Sequence, residues 1–86
     1  MKHLTTDKFW HCFENLPVNI QTIAKRNFEL LKLDAAHPSL QLKRIHSKGY
    51  YSVRVNLNYR ALGLSIDEGI LWFWIGNHSD YDVLLR

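Results

Sequence analysis

Arg60, His78, Asp80 and Tyr81 are the residues of this chain best suited to chemistry, and the last three fall in one short run, Gly76-Asn77-His78-Ser79-Asp80-Tyr81. That run follows at once on the apolar stretch Ile70 to Ile75, and groups that end a strand are aimed with little slack. An imidazole exchanges protons near neutral pH, so His78 is a candidate acid or base. Asp80 could orient it, and Tyr81 could stack on a base or donate a proton. A second reading stays open, in which His78 and Asp80 cap a last helix and bond its backbone. Arg60 shares strand parity with Leu62, Leu64 and Ile66. An Arg on such a face usually has a fixed partner, either Asp80 or Asp82 in an ion pair or a phosphate gripped at the rim of the sheet. The planar guanidinium suits a phosphate because it bonds two oxygens at once and keeps its charge.

Further cations surround it. Lys43, Arg44, His46, Lys48, Arg54 and Arg60 fall within 18 residues that contain no acid. Such a run is often only a solvated face, but Lys43, Arg44, His46 and Arg54 are candidates for holding phosphates. The net charge of +3, from 11 Lys and Arg against 8 Asp and Glu, permits an acidic partner without demanding one. The five His are scattered with no i, i+4 pair, and there is one Cys, so no metal site and no cofactor is expected. No phosphate-loop or nucleophile-elbow motif is present. Cys12 lies on an apolar helical stripe and reads as a small core residue.

These residues must be placed by few elements. A chain of 86 residues is one domain and buries about 60–65% of its unfolded surface. Thr5 or Thr6 caps a first helix with Phe9, Cys12, Phe13 and Leu16 in one stripe. Pro17 ends it and opens a second helix over Val18 to Leu33, which buries Ile20, Ile23, Ala24, Phe28 and Leu31. The period then changes to two. Strands are expected at about Leu40 to His46, Tyr50 to Asn56, Tyr59 to Ile66 and Ile70 to Ile75, with Lys48-Gly49, Asn56-Leu57-Asn58 and Asp67-Glu68-Gly69 as turns. A short helix ends at Leu85. The expected architecture is α+β, an N-terminal helix hairpin on a four-stranded, mostly antiparallel sheet. Alternation would put Ile70, Trp72 and Trp74 on one face of the last strand and Leu71, Phe73 and Ile75 on the other. One hairpin covers one sheet face, so the second needs the last helix, a partner chain or a second copy. No apolar run reaches the ~20 residues of a bilayer span, and the N-terminus lacks the pattern of a signal peptide. The lone cysteine fits a reducing cytoplasm.

With FW at 9–10, LP at 16–17, HPSL at 37–40, YSVRV at 51–55, YRALG at 59–63 and WFWIGNHSDYD at 72–82, the chain resembles the RelE/ParE superfamily, the toxins of bacterial type II toxin–antitoxin pairs. The resemblance covers nearly the whole length. It implies a small cytoplasmic toxin neutralised by a cognate antitoxin that wraps it and covers exposed apolar surface. It also implies one of two activities: cleavage of mRNA on the ribosome, as in RelE-like endoribonucleases, or non-catalytic poisoning of DNA gyrase, as in ParE-like members. Tyr59-Arg60 and the terminal His78 and Tyr81 match the RNA-cleaving pattern. Ser79 stands where many relatives carry Arg, and only Lys43 and Lys48 supply lysines near the first strand. RNA cleavage would use Arg60 for transition-state charge, His78 for proton transfer and Tyr81 for stacking or proton donation.

Overall fold

The structure, a computed structural model, describes residues 1–45 and 48–86. His46, named above for phosphate binding, lies outside the described residues. The chain runs β1 (Lys2–Thr5), α1 (Asp7–Glu14), α2 (Val18–Leu33), a 3-10 turn (Pro38–Leu40), β2 (Lys43–Ile45), β3 (Tyr50–Arg54), β4 (Tyr59–Ile66), β5 (Gly69–Asn77) and α3 (His78–Leu84). The sheet has five strands in the order β1-β5-β4-β3-β2. The expectation of four strands is corrected by β1, which pairs in parallel with β5, Lys2 beside Gly69 and Thr5 beside Trp72. The other pairings are antiparallel.

Gly69 makes room for that extra strand. Its φ of 154° is unfavourable for any side chain, and a Cβ there would lie 2.0 Å from the Lys2 carbonyl oxygen. The Lys2 N–H meanwhile donates to the Glu68 carbonyl at 2.9 Å. The strand expected from Leu40 is also shorter. Pro38 starts a 3-10 turn that ends on the fully buried Leu40, so pairing begins only at Lys43.

The helices form as their residues dictate. Thr6 caps α1 by accepting the Phe9 N–H at 3.0 Å, and Phe9 and Phe13 are buried from that helix. Pro17 stands at the N-cap of α2, which buries Ile20, Ala24 and Leu31. These residues pack with Val53, Ala61, Ile70, Trp72 and Ile75 into one core on one face of the sheet.

The composition of that core overturns the simple alternation expected for β5. Leu62 faces Trp74 across the β4–β5 ladder and Gly63 faces Trp72, so Phe73 is an extra residue. This bulge shifts the phase of β5 by one. Ile70, Trp72 and Ile75 therefore share the helix-covered face, while Trp74 moves to the opposite face with Leu62. Gly63 sits beneath the crowded side of the bulge. A Cβ there would come 2.5 Å from Ile70 Cγ2 and 2.8 Å from Trp72 Cε3.

The far face is covered only in part. Tyr81 of α3 lies over Ser52 and Leu62, which are both 0% exposed. Beyond them runs the cross-strand row Leu4, Leu71, Leu64, Tyr50 and Ile45, one residue from each strand. Leu4 and Leu64 in that row are 37% and 40% exposed.

Candidate functional site

Ladder register decides which cations can act together. Arg54 stands directly opposite Arg60, and directly opposed residues project from the same face. Lys43 is opposite Ser52, and Ser52 is opposite Leu62. By the two-residue period, Lys43, Arg54 and Arg60 thus share the face that carries Tyr81. Arg44 is opposite Tyr51 and lies over its ring at 5.9 Å. Tyr51 packs on the helix-side core, so Arg44 belongs to the other face and is separated from the other candidate phosphate ligands.

Tyr81 is the hub. Asn77 caps α3 by accepting the Asp80 N–H at 2.8 Å, and the His78 N–H donates to the Asn58 carbonyl at 2.7 Å. Those bonds fix the start of the helix and turn Tyr81 onto the sheet. The ring is 6% exposed. Its hydroxyl donates to Ser52 Oγ at 2.9 Å, in a buried bond. The Arg60 guanidinium lies 5.6 Å from the centre of the same ring, a cation–π distance. The His78 imidazole stacks on the ring at 5.6 Å with an interplanar angle of 25°. Trp74 flanks it at 6.5 Å.

Arg60 makes neither of the expected ion pairs. Its Nη2 donates to Gln41 Oε1 at 3.3 Å. Its Nη1 is buried and, among the described residues, has no hydrogen-bond partner. Asp82, rather than Asp80, meets His78, with Oδ1 3.5 Å from Nε2. The capping role considered for this segment falls to Asn77. The structure therefore gathers Arg60, His78, Tyr81, Arg54 and Lys43 on one face. Gln41 is the member that sequence reasoning missed, since a polar residue before a strand carries no signal of its own.

Two absences bear on the chemistry. Among the described residues, no group of three His, Cys, Asp or Glu side chains could hold a metal ion. None of their helices is long and apolar enough to cross a membrane. An apolar cavity of about 340 Å³ lies on the opposite, helix-covered side, lined by Phe9, Phe13, Phe28, Val53 and Trp72 among others. Lys25, Glu29 and Arg54 also line it, so the Arg54 end of β3 borders both this cavity and the cationic face.

The family model for the ParE-like toxin domain matches residues 18–83. The chain belongs to that family. Among solved structures, the toxin domain is similar to the RelB–RelE antitoxin–toxin complex from Methanococcus jannaschii. The TM-score is 0.75 at 18% identity, over 96% of this chain and 99% of that one. It is similar to a YoeB/ParE toxin from Agrobacterium tumefaciens (TM-score 0.68, 15% identity, 91% and 99% covered). The toxin–antitoxin complex RelBE2 from Mycobacterium tuberculosis gives a TM-score of 0.65 at 20% identity, with 90% and 96% covered. At these identities the likeness is one of fold. Among curated proteins, none matches the chain significantly.

Proposed function

We propose that this toxin domain cleaves RNA without a cofactor, acts in the cytoplasm on mRNA at the ribosome, and is held in check by a cognate antitoxin. The observation that carries the reading is the Tyr81 ring, which Arg60 and His78 each contact, on a face that also bears Arg54 and Lys43. In the reaction, a ribose 2′-oxygen attacks the adjacent phosphorus and its proton leaves. The bond from phosphorus to the 5′-oxygen breaks, and that oxygen takes up a proton. The products are a 2′,3′-cyclic phosphate and a 5′-hydroxyl. Arg60 stabilises the negative charge that builds on the phosphoryl oxygens. His78 carries one of the two proton transfers, with Asp82 beside Nε2 to set the ring. Lys43 and Arg54 hold neighbouring phosphates. Tyr81, with its hydroxyl committed to Ser52, serves as the platform rather than as an acid. The apolar row through Leu4 and Leu64, beside these cations, suits an antitoxin segment with acidic and apolar side chains; the complexes of the two RelBE neighbours supply the analogy.

The test is induction from a tight promoter, with RNA 5′ ends and plasmid topology read in the same cells. RNA should be cut while supercoiling is unchanged. Arg60→Ala and His78→Ala should each lower cleavage by about 10²-fold or more. Relaxed plasmid with intact RNA would instead establish gyrase poisoning. Full growth arrest by both variants would rule the mechanism out.

A further inference from the structure

Gln41 closes the 3-10 turn in a left-handed conformation, its N–H donating to the Pro38 carbonyl at 3.3 Å. Its φ is 46°, and among the described residues it is the one residue other than glycine with positive φ. Glutamine has no short side chain to compensate such a conformation, which glycine adopts freely. The residue follows the 3-10 turn Pro38–Leu40, pinned by the fully buried Leu40. A glycine would make the same turn without strain. What glycine lacks is the amide, and that amide is the group that meets Arg60 Nη2 across 19 positions of sequence. Strain that persists at a contact of this kind points to function.

The choice of a neutral acceptor has a second effect. Arg60 faces the like charge of Arg54, and the ion pairs among the described residues lie elsewhere, at Glu29–Lys32 and His78–Asp82. A carboxylate at position 41 would hold the guanidinium more strongly but would cancel its charge. An amide oxygen fixes it and leaves the charge for an anion.

We propose that Gln41 is a positioning residue for Arg60, bent into the left-handed region so that its side-chain carbonyl fixes the guanidinium above Tyr81. Its catalytic consequence rests on the RNA-cleaving reading; its effect on Arg60 does not. Three measurements on wild type, Gln41→Gly, Arg60→Ala and the double variant test it. In NMR, the Arg60 guanidinium nitrogens should be resolved in wild type and collapse to averaged signals in Gln41→Gly. The Tm of Gln41→Gly should rise by roughly 3–6 °C as the strain is relieved. Its single-turnover cleavage of mRNA bound to ribosomes should fall about tenfold, with no further loss when added to Arg60→Ala. A more stable but slower protein is the signature of positioning, since a merely structural role would move both in one direction. Unchanged Arg60 signals, wild-type cleavage in Gln41→Gly, or an additive loss in the double variant would overturn the proposal. If wild type cuts no RNA, the functional reading falls while the NMR comparison still decides whether Gln41 holds Arg60.

Discussion

Replacing Tyr81 by Phe separates the two jobs a tyrosine can do at this site. The hydroxyl donates to Ser52 Oγ at 2.9 Å, and the two residues are 6% and 0% exposed. Removing it strands a buried Ser hydroxyl, a loss of about 1–2 kcal/mol. In a domain of this size each kcal/mol moves Tm by about 4–8 °C, so a drop of roughly 6–12 °C is expected at the middle of that range. The ring remains, and with it the Arg60 contact at 5.6 Å and the His78 stack. Cleavage measured well below the new Tm should therefore stay within about threefold of wild type, because a general acid is worth about 10²–10⁴-fold and none has been lost. Ser52→Ala should cost a similar amount alone. Added to Tyr81→Phe it should cost little more, since removing both partners leaves no orphan. Loss of cleavage by a hundredfold or more in folded Tyr81→Phe would refute the reasoning and return proton donation to Tyr81.

Other perturbations test the remaining parts. Gly63→Ala forces a methyl to within 2.5 Å of Ile70; calorimetry should show a loss of about 1–3 kcal/mol. Binding of a non-cleavable 2′-O-methyl RNA should lose about 0.7 from its log–log salt slope in Lys43→Gln and again in Arg54→Gln, whereas Arg44→Gln on the opposite face should leave the slope unchanged. His3 accepts the Trp72 indole N–H on Nδ1 at 3.1 Å. Burial, then the charges of the N-terminus and Lys32, hold its pKa below 6.5. The unfolded chain thus binds the proton more readily. The His3 contribution is complete above about pH 6.5 and is lost as pH falls through and below that value. Melting curves from pH 7.5 to 5.5 should show this slope in wild type and lose it in His3→Gln.

What the residues reveal in order, and what they conceal, follows from how far each determinant lies along the chain. The α1 cap, the α2 span and β4 rest on neighbours within a few positions, and Thr6, Pro17 and the Tyr59–Ile66 alternation announced them. The short polar segment Lys-His-Leu-Thr is a strand only because β5 accepts it, which no local pattern could show. Alternation likewise mis-sorted Trp74 and Ile75, since a bulge is a property of two paired strands and leaves no mark in one. At the site, Arg60, His78 and Tyr81 stood out by type. Their arrangement did not, because the placement of Arg44 away from Lys43 depends on pairing, and Gln41 depends on a turn.

The parallel pairing of Lys2 with Gly69 also sets a clock. Lys2 and its partner Gly69 lie 67 positions apart (69 − 2), so this edge joins distant segments of the chain. Contacts of such long sequence separation form late. The β1 edge of the sheet, and the Trp72–His3 bond with it, therefore closes after the local hairpins of β3, β4 and β5. A chain interrupted before β5 would leave β1 without its neighbouring strand and His3 without the Trp72 indole.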